Sequence, residues 1–141
     1  MSQENVETAR RAYAAFSEGN LGPVLESFDP DIEWNASDVF FDQPRTYRGR
    51  QTWQEQFLPE LAEIFREYRA VPEQLIDAGE RVLAVAQVGG PGRRSGADVM
   101  ARVGHVLTFR DGRVVRFIEF KDVGEAFKAV GLSEHDAHAD S

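Results

Sequence analysis

Apolar residues recur at helical spacing along the first half of the chain and at strand spacing along the second. Val6, Ala9, Tyr13 and Phe16 fall on one stripe of a helix predicted from about Gln3 to Glu18. Ser2 suits its cap and Gly19 its stop. Leu21, Val24, Leu25 and Phe28 give a short second helix an apolar side, with Pro23 in its first turn and Asp29-Pro30 at its end. Ile32 and Trp34 alternate with Asp31, Glu33 and Asn35, which reads as a strand. A polar loop follows, Ser37 to Arg50. Trp53, Phe57, Leu61, Ile64, Phe65 and Tyr68 then define a long amphipathic helix that Pro59 kinks or splits.

The second half is strand-like. Gln74-Leu75-Ile76 leads into an Asp77-Ala78-Gly79 turn and a valine-rich run, Arg81 to Val88. Gly89 to Gly96 is a glycine-rich connection. Asp98 to Phe109 and Arg113 to Phe120 are two long strands meeting at Asp111-Gly112, a strong hairpin signal. Asp122 with Glu125 caps a last helix, whose apolar positions are Ala126, Phe127 and Val130 and whose stop is Gly131. Strands joined in sequence by tight turns make an antiparallel meander, and helices placed before it must cover one of its faces. The class is α+β.

Composition narrows the functions. A chain of 141 residues fits one domain, expected over 1–132, with a disordered polar tail over 133–141. The absence of cysteine rules out disulfides, thiol nucleophiles and zinc–thiolate sites. Sixteen basic residues against 24 acidic ones leave a net charge of −8, which argues against nucleic acid and against anionic membrane surfaces. No apolar run approaches the ~20 residues of a membrane span, and the N-terminus lacks a signal-peptide core. The expectation is a soluble, cytoplasmic protein.

The last hairpin carries the most chemistry, because its register decides which side chains meet. A two-residue turn pairs Phe109 with Val114 and sends His105 and Glu119 to opposite faces. A three-residue loop, with Gly112 left-handed, pairs Phe109 with Arg113 and puts Val103, His105, Leu107, Val115, Phe117 and Glu119 on one face. We favour the second, since it gathers the apolar residues inward and sends Arg116 outward. His105 and Glu119 are then diagonal neighbours on an apolar wall. An imidazole titrates near neutral pH and a buried carboxylate is tunable, so the pair suits general acid–base work. The alternative is a pair satisfied by each other and touching no ligand.

Trp34 and Tyr13 each offer an apolar ring and one polar hydrogen, suited to a pocket wall. Phe16, Phe57 and Phe117 read as core or as further wall. Gln87, mid-strand among valines, needs a partner and is a candidate ligand contact. Asp38 and Asp42 are loop aspartates, for which a solvated turn role is the plainer reading. Arg45, Tyr47, Arg48 and Arg50 form a basic patch whose simplest role is to neutralise nearby carboxylates. Gly89 to Gly96 is no phosphate loop: no lysine follows it, and it enters a strand. His135 and His138, with Asp136 and Asp140, are metal-capable residue types in a tail without fixed geometry. No metal or cofactor is expected.

The phrases Phe28-Asp29-Pro30-Asp31-Ile32-Glu33-Trp34, Tyr47-Arg48-Gly49-Arg50, Phe109-Arg110-Asp111-Gly112-Arg113-Val114-Val115 and Glu125-Ala126-Phe127-Lys128-Ala129-Val130-Gly131-Leu132, in this order of elements, resemble the SnoaL-like branch of the nuclear transport factor 2-like superfamily. The resemblance covers about residues 3–132. It implies a cone-shaped α+β barrel: a strongly curved antiparallel sheet wrapped around N-terminal helices, with a short C-terminal helix and one deep, mostly apolar pocket. It also implies a homodimer through the sheet. Members include polyketide cyclases, ketosteroid isomerases, dehydratases and epoxide hydrolases, beside non-catalytic binding domains. His105 and Glu119 fall where SnoaL-type cyclases carry a histidine and an acid, the acid there usually being aspartate. The epoxide hydrolase set of two aspartates and an arginine is missing, since Arg81 to Val88 holds no aspartate. The Tyr/Asp pair of the ketosteroid isomerases has no counterpart here either.

Three functions follow. The first is a cofactor-independent enzyme that moves a proton beside a carbonyl in a small hydrophobic compound, with His105 as acid or base and Glu119 as its partner. The second is a binding module with the same pocket and no chemistry. The third is a dimeric interaction protein with a collapsed pocket.

Overall fold

The N-terminal stripes form α1 (Ser2–Ser17) and α2 (Leu21–Ser27) in the computed structural model, which describes residues 2–134. The tail expected over 133–141, with His135 and His138, lies outside the described residues apart from Ser133 and Glu134. Val6, Ala9 and Tyr13 are buried on the inner side of α1, as their spacing predicts. β1 (Phe28–Ala36) follows α2 directly.

The polar stretch after β1 holds a strand that the pattern did not announce. β2 (Arg45–Arg48) pairs antiparallel with β1, Trp34 opposite Tyr47. Four residues with a single apolar side chain carry no readable period, so the pairing is decided by the neighbour and not by local preference.

The long helix is split near Pro59. It runs as α3 (Arg50–Thr52), a π-helical turn (Trp53–Phe57) and α4 (Leu58–Ile64). Pro59 has no N–H for the carbonyl four residues back, and the wider turn just before it absorbs that defect. The helix ends at Ile64, so Tyr68 lies beyond it on the way into the next strand.

β3 (Arg69–Ala78), β4 (Arg81–Pro91), β5 (Asp98–Arg110) and β6 (Arg113–Phe120) form the antiparallel meander. The glycine stretch begins as strand, because Gly89 to Pro91 continue β4. A Cβ on Gly89 would stand 1.9 Å from the Val99 carbonyl oxygen, so only glycine permits this approach. The sheet order is β2-β1-β6-β5-β4-β3. β1 runs parallel to β6, with Trp34 level with Phe117. No hairpin joins those two strands, so nothing imposes the antiparallel sense. The curved sheet around the N-terminal helices and the α+β class are present; the sheet is mostly antiparallel and open, with β2 and β3 as its edges.

At the last hairpin Asp111 (φ 53°) and Gly112 (φ 79°) are both left-handed, which makes a two-residue turn of the primed type. It pairs Arg110 with Arg113 and Phe109 with Val114, so the three-residue loop is not the one formed. A bulge follows at Val115: Thr108 pairs with Arg116 and Leu107 with Phe117. The extra residue flips the rest of β6 and sets His105 directly opposite Glu119. Val114 takes the buried place expected for Val115.

Both faces of the central strands are covered. Val82, Ala84, Ala86 and Val88 face inward with Val103 and Leu107, toward the N-terminal helices. Leu83, Val85 and Val106 face outward beneath α5 (Val123–Ala129), against Val123, Ala126 and Phe127. Asp122 caps α5 by accepting from the Gly124 N–H at 2.8 Å. Among the described residues no helix is long and apolar enough to cross a membrane.

Candidate functional site

β5 and β6 present His105 and Glu119 side by side on the inner face, and His105 Nε2 lies 3.0 Å from Glu119 Oε2. The other ring nitrogen, Nδ1, is 2.7 Å from the Tyr13 hydroxyl carried in by α1. Glu119 Oε1 accepts from the Ser37 hydroxyl at 2.6 Å and from the Ser37 backbone N–H at 3.2 Å. A continuous chain, Tyr13–His105–Glu119–Ser37, thus joins α1, β5, β6 and the end of β1. A neutral imidazole protonated on Nε2 satisfies every link: Tyr13 donates to Nδ1 and Nε2–H donates to Glu119. An imidazolium donates from both nitrogens and turns the Tyr13 proton away from the ring.

His105 is 3% exposed. Burial pushes the Glu119 carboxyl up, but the hydrogen bond and charge of His105, with the two bonds from Ser37, outweigh it and hold the group below its ordinary range. The Tyr13 phenol is pushed well up, first by burial and then by the negative charge of Glu119. Tyr68 is raised by burial, then by Glu119 and Tyr13. Both phenols therefore remain protonated around neutral pH.

These groups border a cavity of about 80 Å³. Tyr13, Phe16, Trp34, Phe57, Phe117, His105 and Glu119 all line it. Trp34 stacks on Phe117 with ring centroids 3.6 Å apart and planes 3° from parallel. Phe117 in turn meets His105 at 4.6 Å. The wall is overwhelmingly aromatic and apolar, and the polar chain occupies one side of it.

Gln87 is not brought in. The alternation of β4 sends Ala84, Ala86 and Val88 inward and Gln87 outward, where its amide donates to Glu73 Oε1 at 2.8 Å. Asp38 pairs with Lys121 at 2.9 Å and Asp42 with Arg45 at 3.2 Å. Arg45 also pairs with Glu60 at 2.9 Å and Arg48 with Glu33 at 3.1 Å, the neutralising roles expected of the basic patch.

Several wall residues escaped the sequence pattern. Ser37 is the most consequential. Ile32, Trp34 and Ala36 continue one alternation, so following it past Asn35 to Ala36 brings Ser37 to the strand end beside the site. Phe40 and Phe41 interrupt a polar loop, and both line the cavity; Phe40 meets Phe65 edge-on at 4.8 Å. Trp53 and Tyr68 also line it. The indole N–H groups of Trp34 and Trp53 are buried with no hydrogen-bond acceptor among the described residues. An orphaned buried donor costs on the order of 1–3 kcal/mol. No group of three or more His, Asp or Glu among the described residues is arranged to hold a metal ion.

Known structures share this architecture. A nuclear transport factor 2-like protein of unknown function from Burkholderia pseudomallei is 25% identical, with 91% of this chain and 98% of that one covered and a TM-score of 0.74. A nuclear transport factor 2-like protein from Burkholderia thailandensis is 27% identical, covering 86% and 95% at a TM-score of 0.74. A structure described as a SnoaL-like polyketide cyclase, from a Jannaschia species, is 22% identical; it covers 84% and 85% at a TM-score of 0.66 and so shares the fold. Among curated proteins no significant match is found. The SnoaL-like domain model matches residues 9–117, most of the folded chain and nearly all of the cavity wall, and the chain belongs to that family.

Proposed function

We propose that this chain is a cofactor-independent enzyme that moves a proton next to the carbonyl of a small hydrophobic compound, by isomerisation, cyclisation or dehydration. The observation that carries the reading is the Tyr13–His105–Glu119 chain on an apolar wall. His105 is the proton carrier. Glu119, ionised and held by Ser37, orients the imidazole and stabilises its protonated form. Tyr13 lines the cavity beside His105, its hydroxyl bonded to Nδ1. Its phenol rests protonated, so transfer is concerted: the hydroxyl oxygen takes the substrate proton as its own proton passes to Nδ1. The reverse movement returns a proton to the product. The aromatic wall supplies binding and keeps water from the reacting atoms.

The test is enzyme-dependent deuterium exchange beside the carbonyl across a panel of small cyclic ketones. His105→Ala and Glu119→Gln are each expected to lower the rate by about 10²–10⁴-fold. Unchanged rates in both variants would overturn the mechanism.

One observation favours a non-catalytic binding module: both ring nitrogens of His105 are already engaged. That reading expects saturable binding with no product, and Trp34→Ala to weaken binding more than His105→Ala. Either reading includes a homodimer through the outer sheet face, where Val71 and Met100 are exposed beyond the cover of α5. Sedimentation of the wild type against Met100→Glu tests it, and a monomeric wild type refutes it.

A further inference from the structure

Two hydrogen-bond donors on the cavity wall are left without an acceptor among the described residues. Trp34 and Trp53 both line the cavity, and both indole N–H groups are buried without an acceptor among the described residues. An indole nitrogen can only donate. Trp53 is 1% exposed, so bulk solvent does not serve it. The Tyr68 hydroxyl belongs to the same wall; its ring packs on Phe16, Phe40 and Phe65, and it makes no hydrogen bond to a described residue. The carboxylate and imidazole acceptors are engaged instead. Glu119 receives His105 and two bonds from Ser37, and His105 Nδ1 receives Tyr13. Trp53 stands edge-on to Phe28 at 5.0 Å and to Trp34 at 5.5 Å, so its surroundings are aromatic. An aromatic face is a weaker acceptor than a carbonyl oxygen.

The geometry points to a ligand whose polar atoms are all acceptors: an apolar ring bearing two carbonyl oxygens, one received by the Trp34 and Trp53 indole N–H groups and one by the Tyr68 hydroxyl. The inference rests on the proposed reading that the cavity takes a small carbonyl compound. It deepens that reading by assigning the residues that select the compound. A hydrocarbon of the same shape leaves the donors unmatched, and an amine sets donor against donor at the two indoles. A site that hydrogen-bonds its ligand discriminates sharply against an analogue lacking the partner atom, whereas a purely apolar pocket does not.

The chain has two tryptophans, so its two indole N–H resonances report this corner of the cavity directly. Isotopically labelled protein is titrated with cyclohexanedione having its carbonyls opposite one another, with dimethylcyclohexane of the same pattern, and with the matching diamine. The dione is expected to move at least one indole N–H downfield and to bind at least about tenfold tighter than the hydrocarbon. Trp53→Phe, which removes the indole N–H, and Tyr68→Phe, which removes the hydroxyl, are each expected to shrink that preference. Equal binding of dione and hydrocarbon with unmoved indole signals would overturn the inference and leave the pocket reading standing. Binding of the diamine as tight as that of the dione would overturn it as well. Failure of all three to bind would remove the pocket reading, and the inference with it.

Discussion

Tyr13 and His105, 92 positions apart in the chain, share a 2.7 Å hydrogen bond, and their rings lie within 6° of parallel. The contact locks α1 to β5 across the polar side of the cavity. Tyr13→Phe keeps the ring and strips Nδ1 of its partner in a buried setting. The expected loss is about 1–3 kcal/mol of stability in urea denaturation, with the fold retained. The His105 ring resonances should also report a changed tautomer balance. A variant as stable as the wild type, with unchanged His105 resonances, would show that the bond contributes nothing.

Glu119 links the site to acid stability. Its folded value lies below the 4.5 of the free side chain, because His105 and Ser37 together outweigh burial. The folded state therefore holds fewer protons on this group than the unfolded state does. The contribution is fully present above about pH 4.5 and is lost as pH falls through the lower folded value. Denaturation midpoints of wild type and Glu119→Gln should accordingly converge on acidification below that point. A gap between the two that stays constant from neutral to acid pH would refute the linkage.

The legible and illegible parts of this molecule separate on physical grounds. Val6, Ala9, Tyr13 and Phe16 share one long period, and α1 forms where they predict. Asp111-Gly112 marks the hairpin correctly, since both residues accept left-handed backbone. What the pattern does not carry is the bulge at Val115. Arg113, Val114 and Val115 suit either register locally, and burial of Val114 in the core decides between them. The meeting of His105 with Glu119 was expected from a different turn and is reached through the bulge. Gln87 failed as a wall residue because the valines around it are buried on both faces of β4, so apolar neighbours there do not mark the inner side. Ser37 sits just past the end of a readable strand, and Tyr68 keeps the helical spacing although the helix itself stops at Ile64.

All three tyrosines of the chain are held above the ordinary phenol range. Tyr47 is pushed up to about 12, by burial first and then by its hydrogen bond to Glu60. Raised folded values mean that the folded state keeps its phenolic protons while the unfolded state loses them. Stability is then intact below about pH 10 and falls as pH rises through the folded values. A spectrophotometric titration should show little phenolate near pH 10 and a cooperative rise at higher pH, coincident with loss of circular dichroism. Free titration of one tyrosine near pH 10 in the folded protein would contradict the burial of that ring.

Gly104 precedes His105 on β5 and faces outward against α5. A Cβ placed there would stand 2.4 Å from the Ala126 Cβ, far inside contact distance. Neither atom has a flexible side chain to move, so α5 must lift or β5 must bend. Gly104→Ala is expected to cost about 1–3 kcal/mol. Ala126→Gly alone is expected to cost roughly 1 kcal/mol, through the lower helix propensity of glycine. Combined, the second change removes the obstruction that the first creates, so the double variant should be more stable than the sum predicts, by about 0.5–3 kcal/mol. Urea denaturation of the four proteins measures this coupling. Additive losses would mean that α5 rides over the added methyl without strain. A coupled result would show that α5, on the far side of the sheet from the cavity, fixes the strand segment on which His105 stands.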